Sequence, residues 1–330
     1  MDICIMRLFR VMIMLCLSIV IVSCEKKDKP IVLPPKGDGA LLELNMGENY
    51  EFQYYVSLRD NKIVHISRTD MWDLAFQTGA SEHGIYLNGG KGMAAFATNK
   101  KNYHDVGLLD TLGATKRWKI DRPCGSIDSL AIGEWLPHSW VYLIRLDKEG
   151  KKIRKLKVLY EDAFQYRIKV GDVNAADGFE YTIYKRPEYN FTYFSFDFLK
   201  EIEKVEPPKV QWDIVSTLYS FTFYDQNPPL PYVVNGFLLN PLNTEAYKDS
   251  LIGYDNVNKE VASSLEFSTS WDVIGFDWKS YDLNTNIYSV NKRYSYIVRT
   301  QNGAMFKMRF IDFYSAGGVK GSPKFEFKPL

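Results

Sequence analysis

The sequence predicts an all-β protein, mainly antiparallel, built from two similar halves. Three observations carry that expectation. Tyr and Phe dominate an aromatic content of 15%, and such residues favour strands. Apolar residues alternate over short runs bounded by Gly and Asn, as in Trp72 to Gly90, the period of a half-buried strand. No long amphipathic helix can be traced. Leu199 to Val205 is the best short candidate, and it runs into Pro207-Pro208, which ends helices.

Taken in order, the chain opens with Arg7 and Arg10 ahead of an apolar run from Val11 to Val22. That run is short for a bilayer span and suits the core of a signal peptide. It ends at Ser23-Cys24, a lipobox-like site although Ile21 and Val22 replace the usual Leu and small residue. Residues 1–23 are expected to be a lipoprotein signal peptide, with Cys24 acylated after cleavage. Residues 24–41 are charged and carry Pro30, Pro34 and Pro35, so they read as an extended tether. Removing residues 1–23 takes away Arg7, Arg10 and Asp2 and leaves the rest neutral. That balance gives no footprint for nucleic acid or for an anionic membrane surface. Of the four cysteines, Cys124 alone remains beyond Cys24, so no intrachain disulfide is expected.

From here landmarks recur. Trp72-Asp73-Leu74 is echoed by Trp212-Asp213-Ile214, 140 residues on, far beyond the roughly 40–45 of a propeller repeat. Asn88-Gly89 reads as a tight turn at positive φ, with Asn235-Gly236 as its echo. Ile132-Gly133 with Trp135 is matched by Ile274-Gly275 with Trp278. Tyr142 to Arg145 is matched by Tyr296 to Arg299, each followed by a Gly turn (Gly150, Gly303) and a basic strand. Phe179-Glu180-Tyr181 is matched by Phe325-Glu326-Phe327. These echoes predict a duplication, 42–188 and 189–330.

The same landmarks resemble the HmuY family of haemophore-like surface lipoproteins from Bacteroidetes. The second half carries the pattern best, in Trp278-Lys279-Ser280-Tyr281, Tyr296 to Thr300, Gly303 and Lys307. Because each half carries it, the expectation is two HmuY-like copies in tandem. The resemblance implies an all-β fold that holds haem between loops, is anchored by lipid to the outer membrane at the cell surface, and hands haem to a TonB-dependent receptor for iron acquisition. It also implies a binding protein and not an enzyme. The residues agree, since no GxSxG, HExxH, Walker or GxGxxG motif occurs.

The four histidines, His65, His83, His104 and His138, all lie in the first half. Bis-histidine ligation needs two imidazoles on opposite faces of the porphyrin, which separate loops can supply. The family's axial pair comes from the irregular region before the Tyr142 strand, so the resemblance points to His104 and His138. His83, Met93 and Tyr281 are the alternates. Lys100, Lys101, Lys116 and Arg117 are candidates for the propionates, and Tyr103 and Trp118 for the ring faces. His138 follows Trp135 by three, as Tyr281 follows Trp278, so the slot can equally be structural. The rival expectation is a member of the fold without haem that recognises a glycan or a host protein through Trp140, Tyr224 and Tyr232.

Overall fold

The computed structural model describes residues 37–113, 117–133 and 135–330. The expected signal peptide, Cys24, most of the tether and Lys116 lie outside the described residues. Among the described residues twenty strands occur in chain order: β1 (Ala40–Glu43), β2 (Phe52–Ser57), β3 (Lys62–Arg68), β4 (Leu74–Gln77), β5 (Ile85–Leu87), β6 (Ala94–Ala97) and β7 (Val141–Arg145). Then come β8 (Ile153–Glu161), β9 (Gln165–Asp172), β10 (Phe179–Tyr184), β11 (Phe191–Ser195), β12 (Lys200–Ile202), β13 (Ile214–Phe223) and β14 (Leu230–Leu239). The last are β15 (Glu245–Asp249), β16 (Lys279–Asp282), β17 (Ile287–Val290), β18 (Ser295–Arg299), β19 (Met305–Tyr314) and β20 (Lys320–Pro329). All pairings are antiparallel, so the fold class is all-β as the sequence predicts.

The strands form two β-sandwich lobes with the same internal order. The outer sheets run β10-β9-β8-β7-β6 and β1-β20-β19-β18-β15, and the inner sheets run β12-β11-β4-β5 and β3-β2-β13-β14. One core lies inside each lobe: Leu74, Phe76, Ile144, Tyr166 and Phe194 in the first, and Val56, Ile214, Trp278, Phe310 and Phe325 in the second. The side-chain pattern tracks the layers. Outer strand β19 alternates buried and half-buried positions through Phe310, whereas inner strand β2 buries five of its six residues in succession. A strand covered on both faces loses its period of two, which is why the inner strands read as unbroken aromatic runs.

The hairpins cross between the halves of the sequence. β2 pairs with β13, and β11 pairs with β4. The sheets therefore do not divide at 188/189. Residues of β4 to β12 build one lobe, and the N-terminal strands complete the other. The registers repeat: Val56 lies opposite Ile214 as Phe194 lies opposite Leu74. In both lobes the Asp after the Trp accepts from the backbone, Asp73 from Phe196 N at 2.7 Å and Asp213 from Leu58 N at 2.8 Å.

Three sequence expectations change. Asn88 is not a positive-φ turn residue. Its φ is −69°, and its side chain caps a 3-10 turn, accepting from Gly90 N, while the positive φ falls on Gly92. This turn carries the chain from the inner sheet at β5 to the outer sheet at β6, so it is not the tip of a hairpin. Its echo is Asn240, not Asn235: Asn88 Nδ2 donates to the Thr69 and Trp72 carbonyls, and Asn240 Nδ2 to those of Lys209 and Trp212. The Phe-Glu-aromatic echo is also displaced. Phe179 lies on β10, whose place in the second lobe is taken by β1, because that sheet edge is closed by the N-terminal segment. Finally, Leu199 to Val205 holds strand β12, while a helix that the sequence did not suggest, α1 (Lys259–Ser263), starts at Asn258, whose side chain accepts from Val261 N.

Candidate functional site

The connection from β6 to β7 in the first lobe builds two cavities. One, of about 610 Å³, opens beside the edge strand β6. Its floor is Phe96 and Ile132, its wall is His138 with Trp140, and Arg117 and Lys119 stand at its rim. The segment at 119 bonds to β6 in both directions, Ala95 N to Lys119 O and Lys119 N to Ala95 O, each at 2.9 Å. Asp121 pins the chain on either side of the cavity, accepting from Leu87 N and Ala131 N at 2.6 and 2.7 Å. Burial nevertheless raises the Asp121 carboxyl to about 7, the usual result of taking an acid out of water.

His138 lies half-buried with its ring flat against Trp140, centroids 3.9 Å apart and planes 5° apart. Its backbone N–H donates to Trp135 O at 3.2 Å. No side-chain hydrogen bond holds either ring nitrogen among the described residues. The Arg117 guanidinium sits 4.3 Å from the Phe96 ring centroid and donates to Ala97 O. The opening thus combines an imidazole, two cations, one acid (Asp128) and an aromatic floor. Lys119 and Phe96 were not singled out in the sequence. Their nearest signal was Arg117, two residues before Lys119 and packed on Phe96.

His104 belongs to the second cavity, of about 470 Å³, with Lys100, Leu108 and the 173–176 turn. Its loop crosses the outer face of the sheet. Tyr103 lies under it against Gly171, where an added Cβ would come 2.6 Å from the Tyr103 hydroxyl. The His104 Nδ1–H donates to Ala176 O at 2.9 Å, which leaves Nε2 as the nitrogen with a free lone pair. A backbone carbonyl on the far ring nitrogen is the usual orienting partner of a ligating histidine. Lys100 is engaged, reaching the Asp105 carbonyl and pairing with Asp110 at 2.7 Å. Lys101 is exposed.

As folded, the structure does not bring His104 and His138 together. The first is tied to the β9–β10 turn and the second stands at the β6 edge. Three strand spacings separate β9 from β6, roughly 14 Å, against roughly 4 Å for two metal–imidazole bonds. The alternates sit elsewhere. His83 Nδ1 lies 3.0 Å from Glu161 Oε1, which also pairs with Lys185. Met93 is fully buried in the first core because it enters β6 pointing inward. Tyr281 is on β16 of the second lobe, its hydroxyl donating to Asn286 Oδ1. Trp118 packs edge-on against Phe96.

Among solved structures the chain is similar to apo PinO from Porphyromonas gingivitis, at 10% identity and TM-score 0.34, covering 89% of this chain and 98% of that one. It is similar to an apo HmuY analog from Tannerella forsythia, at 10% identity and TM-score 0.25, covering 90% and 99%. It is similar over less of its length to a putative HmuY-like haem-binding protein from Bacteroides vulgatus, at 14% identity and TM-score 0.22, covering 42% and 83%. No curated protein matches. The family model described as HmuY protein matches once, over residues 49–327, through both lobes. That single match gives no support to two complete family units in tandem. The chain belongs to the HmuY family.

Proposed function

We propose that this protein captures haem in the cleft beside β6 and passes it on from the cell surface. The observation that supports the reading most is the company His138 keeps: an imidazole on an aromatic wall, facing a cleft of about 610 Å³ rimmed by Arg117 and Lys119. Those residues fit a flat apolar disc with two carboxylates. His138 would supply an iron ligand and the rim cations would meet the propionates. His104 is the second ligand once its loop carries it across the roughly 14 Å of sheet to the cleft, a move that gives up the Ala176 bond on Nδ1. When bound, haem contributes the iron and the apolar ring face, and this chain orients the disc and shields it from water. The N-terminal sequence supports a lipid anchor at Cys24 on the outer membrane, and the family supports delivery to a TonB-dependent receptor.

The test is a hemin titration of the purified chain followed at the Soret band. Wild type is expected to give a saturable, sharpened band. His138→Ala should abolish it or weaken binding at least tenfold, and His104→Ala should change it to a five-coordinate spectrum. His65→Ala should leave it unchanged, since His65 lies on edge strand β3 of the second lobe with its Nε2 bonded to Lys204 O. No hemin binding by wild type would transfer the weight to glycan or protein recognition. That second reading draws on Tyr224 and Tyr232, which are 60% and 61% exposed on the β13–β14 hairpin. Trp140 is less available to it, because His138 covers one face and the ring packs on the first core.

A further inference from the structure

Between the lobes the outer faces of the two inner sheets meet, and they do not close completely. Tyr55 and Tyr193 occupy matching places on β2 and β11 and share a hydrogen bond. Trp212 stands edge-on to Tyr55 at 5.0 Å, and Trp72 edge-on to Tyr193 at 5.1 Å. These four rings, with Trp271, enclose a cavity of about 140 Å³. A cavity of roughly 150 Å³ accepts a benzene-sized group.

One lining residue breaks the symmetry. Glu206 is 3% exposed, and its carboxylate accepts from Phe191 N and Asn190 Nδ2. Among the described residues no Lys, Arg or His pairs with it, although buried acids are ordinarily paired. Burial raises its carboxyl to about 8, against the opposing pull of its hydrogen bonds and of the Lys209 charge. The indole N–H groups of Trp72 and Trp212 are also buried and lack acceptors among the described residues, and a buried donor left unpaired is costly. Asp121 and Arg122 also line the cavity, but Asp121 is held by Leu87 N and Ala131 N, and the Arg122 guanidinium lies 5.2 Å from the Tyr224 ring centroid. The site therefore offers an aromatic lining, the Glu206 carboxyl and two spare donors. Aromatic faces attract organic cations, a carboxylate neutralises one, and spare N–H donors ask for an oxygen acceptor.

We propose that the inter-lobe cavity binds a small organic ammonium carrying an oxygen acceptor, of the choline type, with Glu206 as counter-ion and Tyr55, Trp72, Tyr193, Trp212 and Trp271 as its cage. The site is separate from the β6 cleft, so its test is independent of hemin. The probe is choline, set against 3,3-dimethylbutan-1-ol, which has the same shape without the charge. Calorimetry and tryptophan fluorescence on the full chain should show choline binding at least tenfold tighter than the neutral alcohol. Glu206→Gln should erase that preference while leaving the hemin titration as in wild type. Trp271→Leu, at a half-buried position, should weaken choline at least fivefold and serves if the Glu206 variant does not fold. Equal binding of choline and the alcohol, or no binding of choline by wild type, overturns the proposal. So does choline binding that Trp271→Leu leaves unchanged.

Discussion

Where the first lobe lays Tyr103-His104-Asp105-Val106 across its outer sheet, the second lays Tyr254-Asp255-Asn256-Val257. The support beneath is the same. Lys155 donates to Val106 O and sits 4.5 Å from the Tyr103 ring centroid, and Lys307 donates to Val257 O and sits 4.8 Å from that of Tyr254. Beyond this station the lobes part. The first lobe runs irregularly to His138 and leaves a cleft. The second inserts α1 and the β16–β17 hairpin and buries Trp278 fully, stacked on Phe310 at 3.9 Å. Both differences fall in one connection, β6 to β7 in one lobe and β15 to β18 in the other. Connections tolerate change that the sheets do not, so one scaffold carries an opening on one side and a filled core on the other.

Cutting an aromatic residue from each side sharpens this contrast most. Trp278→Ala removes a fully buried ring and should cost about 3–5 kcal/mol in denaturant unfolding. Trp140→Ala removes a half-buried wall of the cleft and should cost about 1 kcal/mol or less. Equal costs would mean that the cleft wall is packed as tightly as a core, since Trp135, the first lobe's counterpart of Trp278, is itself buried.

The matched aspartates come next. Asp73 has Lys91 as an ion partner. Asp213 accepts from the Leu58 backbone N–H, and burial lifts its carboxyl to about 6. The folded state then holds that proton more tightly than the unfolded chain does. Stability should fall as pH rises from about 4 to about 6, by up to about 3 kcal/mol from this group. Asp213→Asn should flatten that slope while keeping an acceptor for Leu58 N. An unchanged profile from urea melts across that window would refute the assignment.

The smallest effect is expected at the paired arginines. Arg299 lies 3.8 Å from the Phe267 ring centroid and bonds Glu245, whereas Arg145 lies 5.6 Å from that of Trp118. Arg299→Lys should cost about 1 kcal/mol, because a lysine loses the planar stack, and Arg145→Lys about half as much. The order of the two melting shifts is the check.

The fold class was legible because aromatic strands and Gly turns are local signals; Trp72 and Trp212 do precede the matching strands β4 and β13, and Tyr142 and Tyr296 do lie in the matching strands β7 and β18. The crossing of the hairpins was not legible. Which strand lies beside β2 is a matter of distant pairing, and nothing in Phe52 to Ser57 names β13. The false echoes at Asn235 and Phe179 share this origin, since both match in sequence while sitting at different places in the sheets. A five-residue helix such as α1 is too short for periodicity to reveal. At the site, His138 could be placed after Trp135 by spacing. The separation of His104 from it depends on a loop crossing the sheet to Ala176, which no spacing encodes.

Hydrogen exchange read by mass spectrometry, with and without hemin, tests the asymmetry of the lobes most directly. Hemin should protect residues 96–106 and 117–142 of the first lobe and leave the matching 247–257 and 268–296 stretches of the second unchanged. Protection confined to the second lobe, or spread equally over both, would contradict the account.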